Sequence, residues 1–154
     1  DQMAGTGIVL ATAEALVAFG EHLGARLRTG DVVTLSGGLG AGKTTLARGL
    51  LRGLGYQGDV PSPTFAILQG YEPPETRLPL GHVDLYRIDD PADVGELGLD
   101  DWLADGALVI EWPDRLAGRY DATALALQLD ILDDGTRRLT ARVPRGWEAR
   151  WPAT

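Results

Sequence analysis

The chain has no cysteine, no asparagine and a single lysine in 154 residues. Without cysteine, disulfides and thiolate metal sites are excluded, and a reducing, cytoplasmic setting is the expectation. Without asparagine there is no Asn-Lys-x-Asp element of the kind guanine-specific proteins use. No apolar run approaches the roughly 20 residues that a membrane span needs. Asp1-Gln2 opens on no basic region, so no secretory leader and no membrane association are expected. Basic charge is also scarce: 14 basic against 22 acidic residues leave a net charge of −8. A protein that grips nucleic acid by itself normally carries a basic surface, because phosphate contacts supply most of the affinity. Arg137, Arg138, Arg142 and Arg145 form the one candidate basic patch, and a solvated strand face is the simpler reading of it.

What is present is ordinary globular material, 44% hydrophobic and 23% charged, at a length that suits one domain over residues 1–154. The lone lysine, Lys43, stands where thirteen other basic positions are arginine, and it lies inside a glycine-rich run. A compact ammonium fits into a loop that wraps phosphate better than a broad guanidinium fork does.

Residues 7–10 read as a short strand, and Thr12 as the cap of a helix over 13–27 with apolar residues at helical spacing. Residues 32–35 form an apolar, β-branched strand, and 44–54 a second helix stopped by Gly55. Paired strands are expected over 65–71 and 78–86. Asp90-Pro91 opens another helix, with the aspartate as cap and proline in the first turn. A helical turn over 99–104 precedes the strand 107–110, which ends in Glu111. Strands over 125–131 and 138–143 flank Asp134-Gly135, a hairpin signal. This order predicts an α/β, three-layer P-loop NTPase fold, with a mixed, mostly parallel sheet, an antiparallel portion and a C-terminal hairpin.

Gly37-x-x-x-x-Gly42-Lys43-Thr44 matches the P-loop pattern, with a buried strand before it and a helix after it. Glycines admit the backbone turns, amides converge on the anion, and the helix N-terminus adds positive potential. Lys43 is expected to reach the β- and γ-phosphates and the Thr44 hydroxyl to ligate Mg²⁺. With guanine recognition missing, ATP is the expected nucleotide. Hydrolysis also needs carboxylates. Glu111, at the end of a buried strand, is a candidate general base or metal ligand; an ordinary surface glutamate before Trp112-Pro113 is the competing reading. Asp84 is the second metal candidate, against a structural pairing with Arg87. The Ser62-Pro63-Thr64 segment is a plain turn or a sensor of the γ-phosphate. His82 is expected to be packed or hydrogen-bonded and not a metal ligand.

Four segments, taken together, resemble the TsaE family, the small bacterial ATPase of tRNA threonylcarbamoyladenosine synthesis. They are Gly38-Leu39-Gly40-Ala41-Gly42-Lys43-Thr44-Thr45, Ser62-Pro63-Thr64, His82-Val83-Asp84-Leu85-Tyr86-Arg87 and Glu111-Trp112-Pro113. The combination is specific where the P-loop alone is not, and it spans about residues 8 to 116. The resemblance implies slow ATP hydrolysis and work with TsaB- and TsaD-like proteins, which transfer a threonylcarbamoyl group to adenosine 37 of tRNA. Contact with tRNA would then run through that complex. It implies that Lys43 and Thr44 carry phosphate and Mg²⁺, that Asp84 and Glu111 serve metal and hydrolysis, and that Trp112 neighbours the nucleotide. Thr12 and Ala13 would approach the adenine. A small-molecule kinase and a non-catalytic nucleotide switch are the competing functions.

Overall fold

The computed structural model describes residues 2–3, 7–38, 40–61, 67–88 and 90–151. Leu39, Ser62, Pro63 and Thr64 therefore lie outside the described residues. Among the described residues, eight strands form one sheet: β1 (Gln2–Met3), β2 (Ile8–Leu10), β3 (Val32–Ser36), β4 (Leu68–Tyr71), β5 (Leu80–Asp84), β6 (Ala107–Glu111), β7 (Leu125–Ile131) and β8 (Arg137–Val143). Their order is β1-β8-β7-β3-β6-β5-β4, with β2 also pairing with β8. The four central strands β7, β3, β6 and β5 run parallel. Antiparallel strands complete both sides, β4 on β5 and the β7–β8 hairpin with β1 and β2.

Strands β3, β5 and β6 are buried on both faces, as a covered parallel sheet requires, while β7 alternates buried and exposed residues. Period-two alternation sorts their side chains. Val33, Leu35, Val109, Leu125 and Leu127 face the helix pair α1 (Ala13–Arg26) and α2 (Lys43–Gly53). Val32, Val83, Leu108 and Ile110 face the other side, with α3 (Leu99–Asp105) and the 3₁₀ segments Pro91–Leu97 and Pro113–Leu116. That gives three layers.

Helix α1 starts where its cap predicts: the Thr12 hydroxyl accepts a bond from the Ala15 amide at 3.0 Å. It crosses α2 on glycine. A Cβ on Gly20 or Gly24 would strike the backbone of Leu46 or Leu50, and one on Gly49 or Gly53 the backbone of Val17 or Glu21. Backbone therefore lies on backbone, and α2 is held close above the sheet with its N-terminus at the end of β3.

Three expected elements are shorter or tighter. Asp90 does cap, accepting from the Ala92 amide at 3.0 Å, but Pro91–Leu97 is a 3₁₀ segment. Strand β4 begins only at Leu68, because Ile67 has φ 63° and breaks the extended path. Strand β5 stops at Asp84, whose carboxylate accepts from the Tyr86 amide at 2.9 Å and turns the chain.

Candidate functional site

The phosphate loop leaves β3 at Ser36 and enters α2 at Lys43. Gly42 sits at φ 107°, a left-handed value that glycine adopts without cost, and caps α2 without a side-chain bond. The amides of the first turn, which an α-helix cannot satisfy internally, receive no side-chain cap from Gly42, a setting that suits an anion. Lys43 folds over the loop; its Nζ donates to the Gly37 carbonyl at 2.6 Å and to that of Gly38 at 3.0 Å.

The acids arrive from the neighbouring strands. Asp84 and Glu111 end β5 and β6 and stand directly opposite each other in the parallel register. Alternation puts His82, Asp84, Val109 and Glu111 on the sheet face that carries α2. There the Thr44 hydroxyl lies 3.4 Å from Glu111 Oε2, and His82 Nε2 lies 2.7 Å from the same oxygen. His82, Asp84 and Glu111 are all buried, as is Lys43. Glu111 is therefore no surface glutamate. Burial pushes the Asp84 carboxyl above its usual range, reinforced by the charge of Glu111 and opposed by the Tyr86 amide. Burial likewise draws Lys43 below its usual value, against the pull of Glu111 and Asp84.

Glu111 is followed by Trp112, which takes a left-handed backbone conformation at φ 59°. Its amide continues the ladder to Leu35 at 3.2 Å. The turn lays the indole ring 4.3 Å from Lys43 Nζ and against Tyr86, with ring centroids 4.8 Å apart. Gly40, Gly42, Lys43, Thr44, Thr45, Asp84, Tyr86, Arg87, Glu111 and Trp112 line a cavity of about 480 Å³. Thr12 and Ala13 do not line it. Ala13 and Thr45 instead border a shallower hollow of about 330 Å³ between α1 and α2. Thr45 is thus common to both. Ala41 is buried beneath the loop, and Gly38 accepts from its amide at 3.2 Å.

The family model described as "Threonylcarbamoyl adenosine biosynthesis protein TsaE" matches residues 10–139. The chain belongs to the TsaE family. Over 112 residues it is 45% identical to the tRNA threonylcarbamoyladenosine biosynthesis protein TsaE of Streptomyces coelicolor, a match covering 72% of this chain and 76% of that one. With the protein of the same name from Nostoc sp. it shares 39% over 143 residues, 90% of this chain and 85% of the relative. The crystal structure of Bacillus subtilis YdiB is similar throughout, with a TM-score of 0.81 at 28% identity, covering 97% of this chain and 93% of that one. A TsaE-family chain with this loop is a nucleotide-binding protein of the P-loop type.

The expectation that His82 is hydrogen-bonded holds, and its partner is Glu111, 29 residues away. One residue of the site escapes sequence reading. Arg137 reaches the phosphate loop from a position 96 residues beyond Ala41, and no local pattern announces it.

Proposed function

We propose that this TsaE-family chain binds ATP with Mg²⁺ and hydrolyses it slowly in the service of tRNA threonylcarbamoyladenosine synthesis, in the cytoplasm and together with TsaB- and TsaD-like proteins. The observation that carries the reading is the convergence of Thr44, His82 and Glu111 at one carboxylate oxygen beside the phosphate loop. A loop that only bound phosphate would not need a buried acid there.

Hard cations take oxygen donors, and Mg²⁺ keeps several of its waters and the phosphates of its nucleotide. The donor set fits that preference: a hydroxyl from Thr44 and carboxylates from Asp84 and Glu111. Among the described residues no three His, Cys, Asp or Glu side chains could hold a metal ion by themselves, so the hydroxyl, the phosphates and water would have to complete the shell. Those residues would hold Mg²⁺, which neutralises charge on the β- and γ-phosphates when bound. Lys43 would move its ammonium from the loop carbonyls onto the phosphates. Glu111, oriented by His82, would hold the attacking water and take its proton as water adds to the γ-phosphorus and ADP leaves. Trp112 and Tyr86 would wall the cavity and exclude bulk water.

Release of inorganic phosphate by the purified chain, with and without the two partner proteins, tests this. Hydrolysis should require Mg²⁺ and rise when the partners are added. Glu111→Gln should cut turnover by at least 10²-fold while nucleotide still binds. Unchanged release in that variant would remove Glu111 from the mechanism, and consumption of ATP only with a phosphorylated acceptor would point to a kinase.

A further inference from the structure

The β7–β8 hairpin lies outside the motifs that define the phosphate site, yet it touches the loop. Arg137, the first residue of β8, sends its guanidinium across to it. Nε donates to the Ala41 carbonyl at 2.9 Å and Nη2 to the Gly40 carbonyl at 3.2 Å. Nη1 bonds the carbonyl of Gly135 in the hairpin turn, which fixes the fork in place. On the other side of the loop, Lys43 takes the carbonyls of Gly37 and Gly38. Two cations thus hold four carbonyl oxygens of one short loop.

Those oxygens are what a phosphate must not meet. The peptide group is planar and trans, so its carbonyl and its N–H point in opposite directions. Turning the carbonyls of Gly40 and Ala41 toward Arg137 turns the N–H groups of Ala41 and Gly42 away from it: that of Ala41 closes the turn onto the Gly38 carbonyl at 3.2 Å, which leaves that of Gly42 for the inner side of the loop. Bonds to a charged donor are stronger than neutral ones, so the orientation is held firmly. The neighbouring Arg138 does none of this. It is exposed, and its stem lies beside Gly7.

We propose that Arg137 is a positioning residue of the phosphate loop: it holds the Gly40 and Ala41 carbonyls, so that the turn closed by Ala41 and the Gly42 amide beyond it are set for nucleotide phosphates before they arrive. The inference rests on the reading of residues 37–44 as that phosphate site. Arg137 acts on ligand only through the loop, so it governs affinity more than the chemical step.

Titration of the full chain with a fluorescent ATP analogue and Mg²⁺ tests this, alongside melting curves without nucleotide. R137A should bind about tenfold more weakly, the scale expected for lost charge-assisted bonds. Its KM for ATP should rise, with kcat at saturating ATP within about twofold and with melting little changed. R137K, with one compact donor, should recover part of the affinity, and R138A should match wild type. If R137A does not fold, R137M keeps the stem without donors and is read in the same way. Wild-type affinity in folded R137A or R137M overturns the inference, as does an equal loss in R138A, which would mark a general charge effect. The outcomes separate from failure of the site itself: if the wild type binds no nucleotide, the reading of residues 37–44 falls. If it binds, K43A does not and R137A equals wild type, only the role of Arg137 falls.

Discussion

Burial pulls Lys43 and Asp84 toward their neutral forms, one from above and one from below. Each gives up hydration in the buried site beside the phosphate loop. For Asp84 the folded pKa lies above the unfolded one, and the native state holds the extra proton. Its contribution is therefore most favourable below the ordinary carboxylate value and is lost as pH rises through the raised one. Asp84→Asn removes that loss and keeps an acceptor for the Tyr86 amide. The nucleotide-free variant should melt about 2–4 °C higher at neutral pH, with a flatter stability profile in weak acid; melts between pH 4 and 7 measure both. A lower melting temperature than wild type at neutral pH would contradict this. Lys43→Ala tests the opposite charge. MgATP at about 100 times its Kd should stabilise the wild type by about 2.7 kcal/mol in thermal shift, and the variant by almost nothing. The loop, Asp84 and Glu111 are legible in the sequence because phosphate chemistry needs fixed residue types at fixed spacing. A hydrogen-bonded His82 is legible too, but not its partner Glu111, nor the reach of Arg137 to the loop, since only the strand register and the hairpin bring those together.

The element that matters most mechanically is the α1–α2 pair. An interior glycine costs a helix up to about 1 kcal/mol relative to alanine, so Gly20, Gly24, Gly49 and Gly53 look like four liabilities in the sequence. In the fold they are the contact itself, because a Cβ at any of them meets the partner's backbone. Gly24→Ala should improve the propensity of α1 and still destabilise the chain, by about 1–3 kcal/mol in urea unfolding, since backbone cannot step aside as a flexible side chain can. Gly146→Ala, with open space around it, should stay within about 0.5 kcal/mol. Equal effects would mean that the helix contact is soft. Helices and strands were predictable here wherever period, cap and turn agreed, as at Thr12 and at Asp134-Gly135. Bounds failed where a single residue overrode the pattern, as the left-handed Ile67 does before β4. Strand order was not legible at all: no local signal says that β3 lies between β6 and β7.

At the scale of the molecule, that order joins distant parts of the chain. Among the described residues, β3 is paired on one side by residues 108–111 and on the other by residues 125–128. Gly37, at the head of the phosphate loop, has no room for a Cβ against the Leu129 carbonyl. Arg137 holds the loop's far end. Arg150 is tied back too: it pairs with Asp31 at 2.6 Å, just ahead of β3, and covers the buried Trp147. Lys43, Thr44, Asp84 and Glu111 all precede residue 112, so a ribosome has already made these four site residues when it reaches the turn before β7. At that moment β3 is still an open edge, the loop has no outer wall, and its carbonyls at Gly40 and Ala41 are unheld. Long-range parallel pairing forms late and slowly. The nascent chain therefore passes through a period in which it carries the residues of a nucleotide site without the site. The loop is complete only with the hairpin, so a prematurely released or clipped chain is spent as an exposed strand edge, a target for chaperones and proteases, before its phosphate loop is walled in.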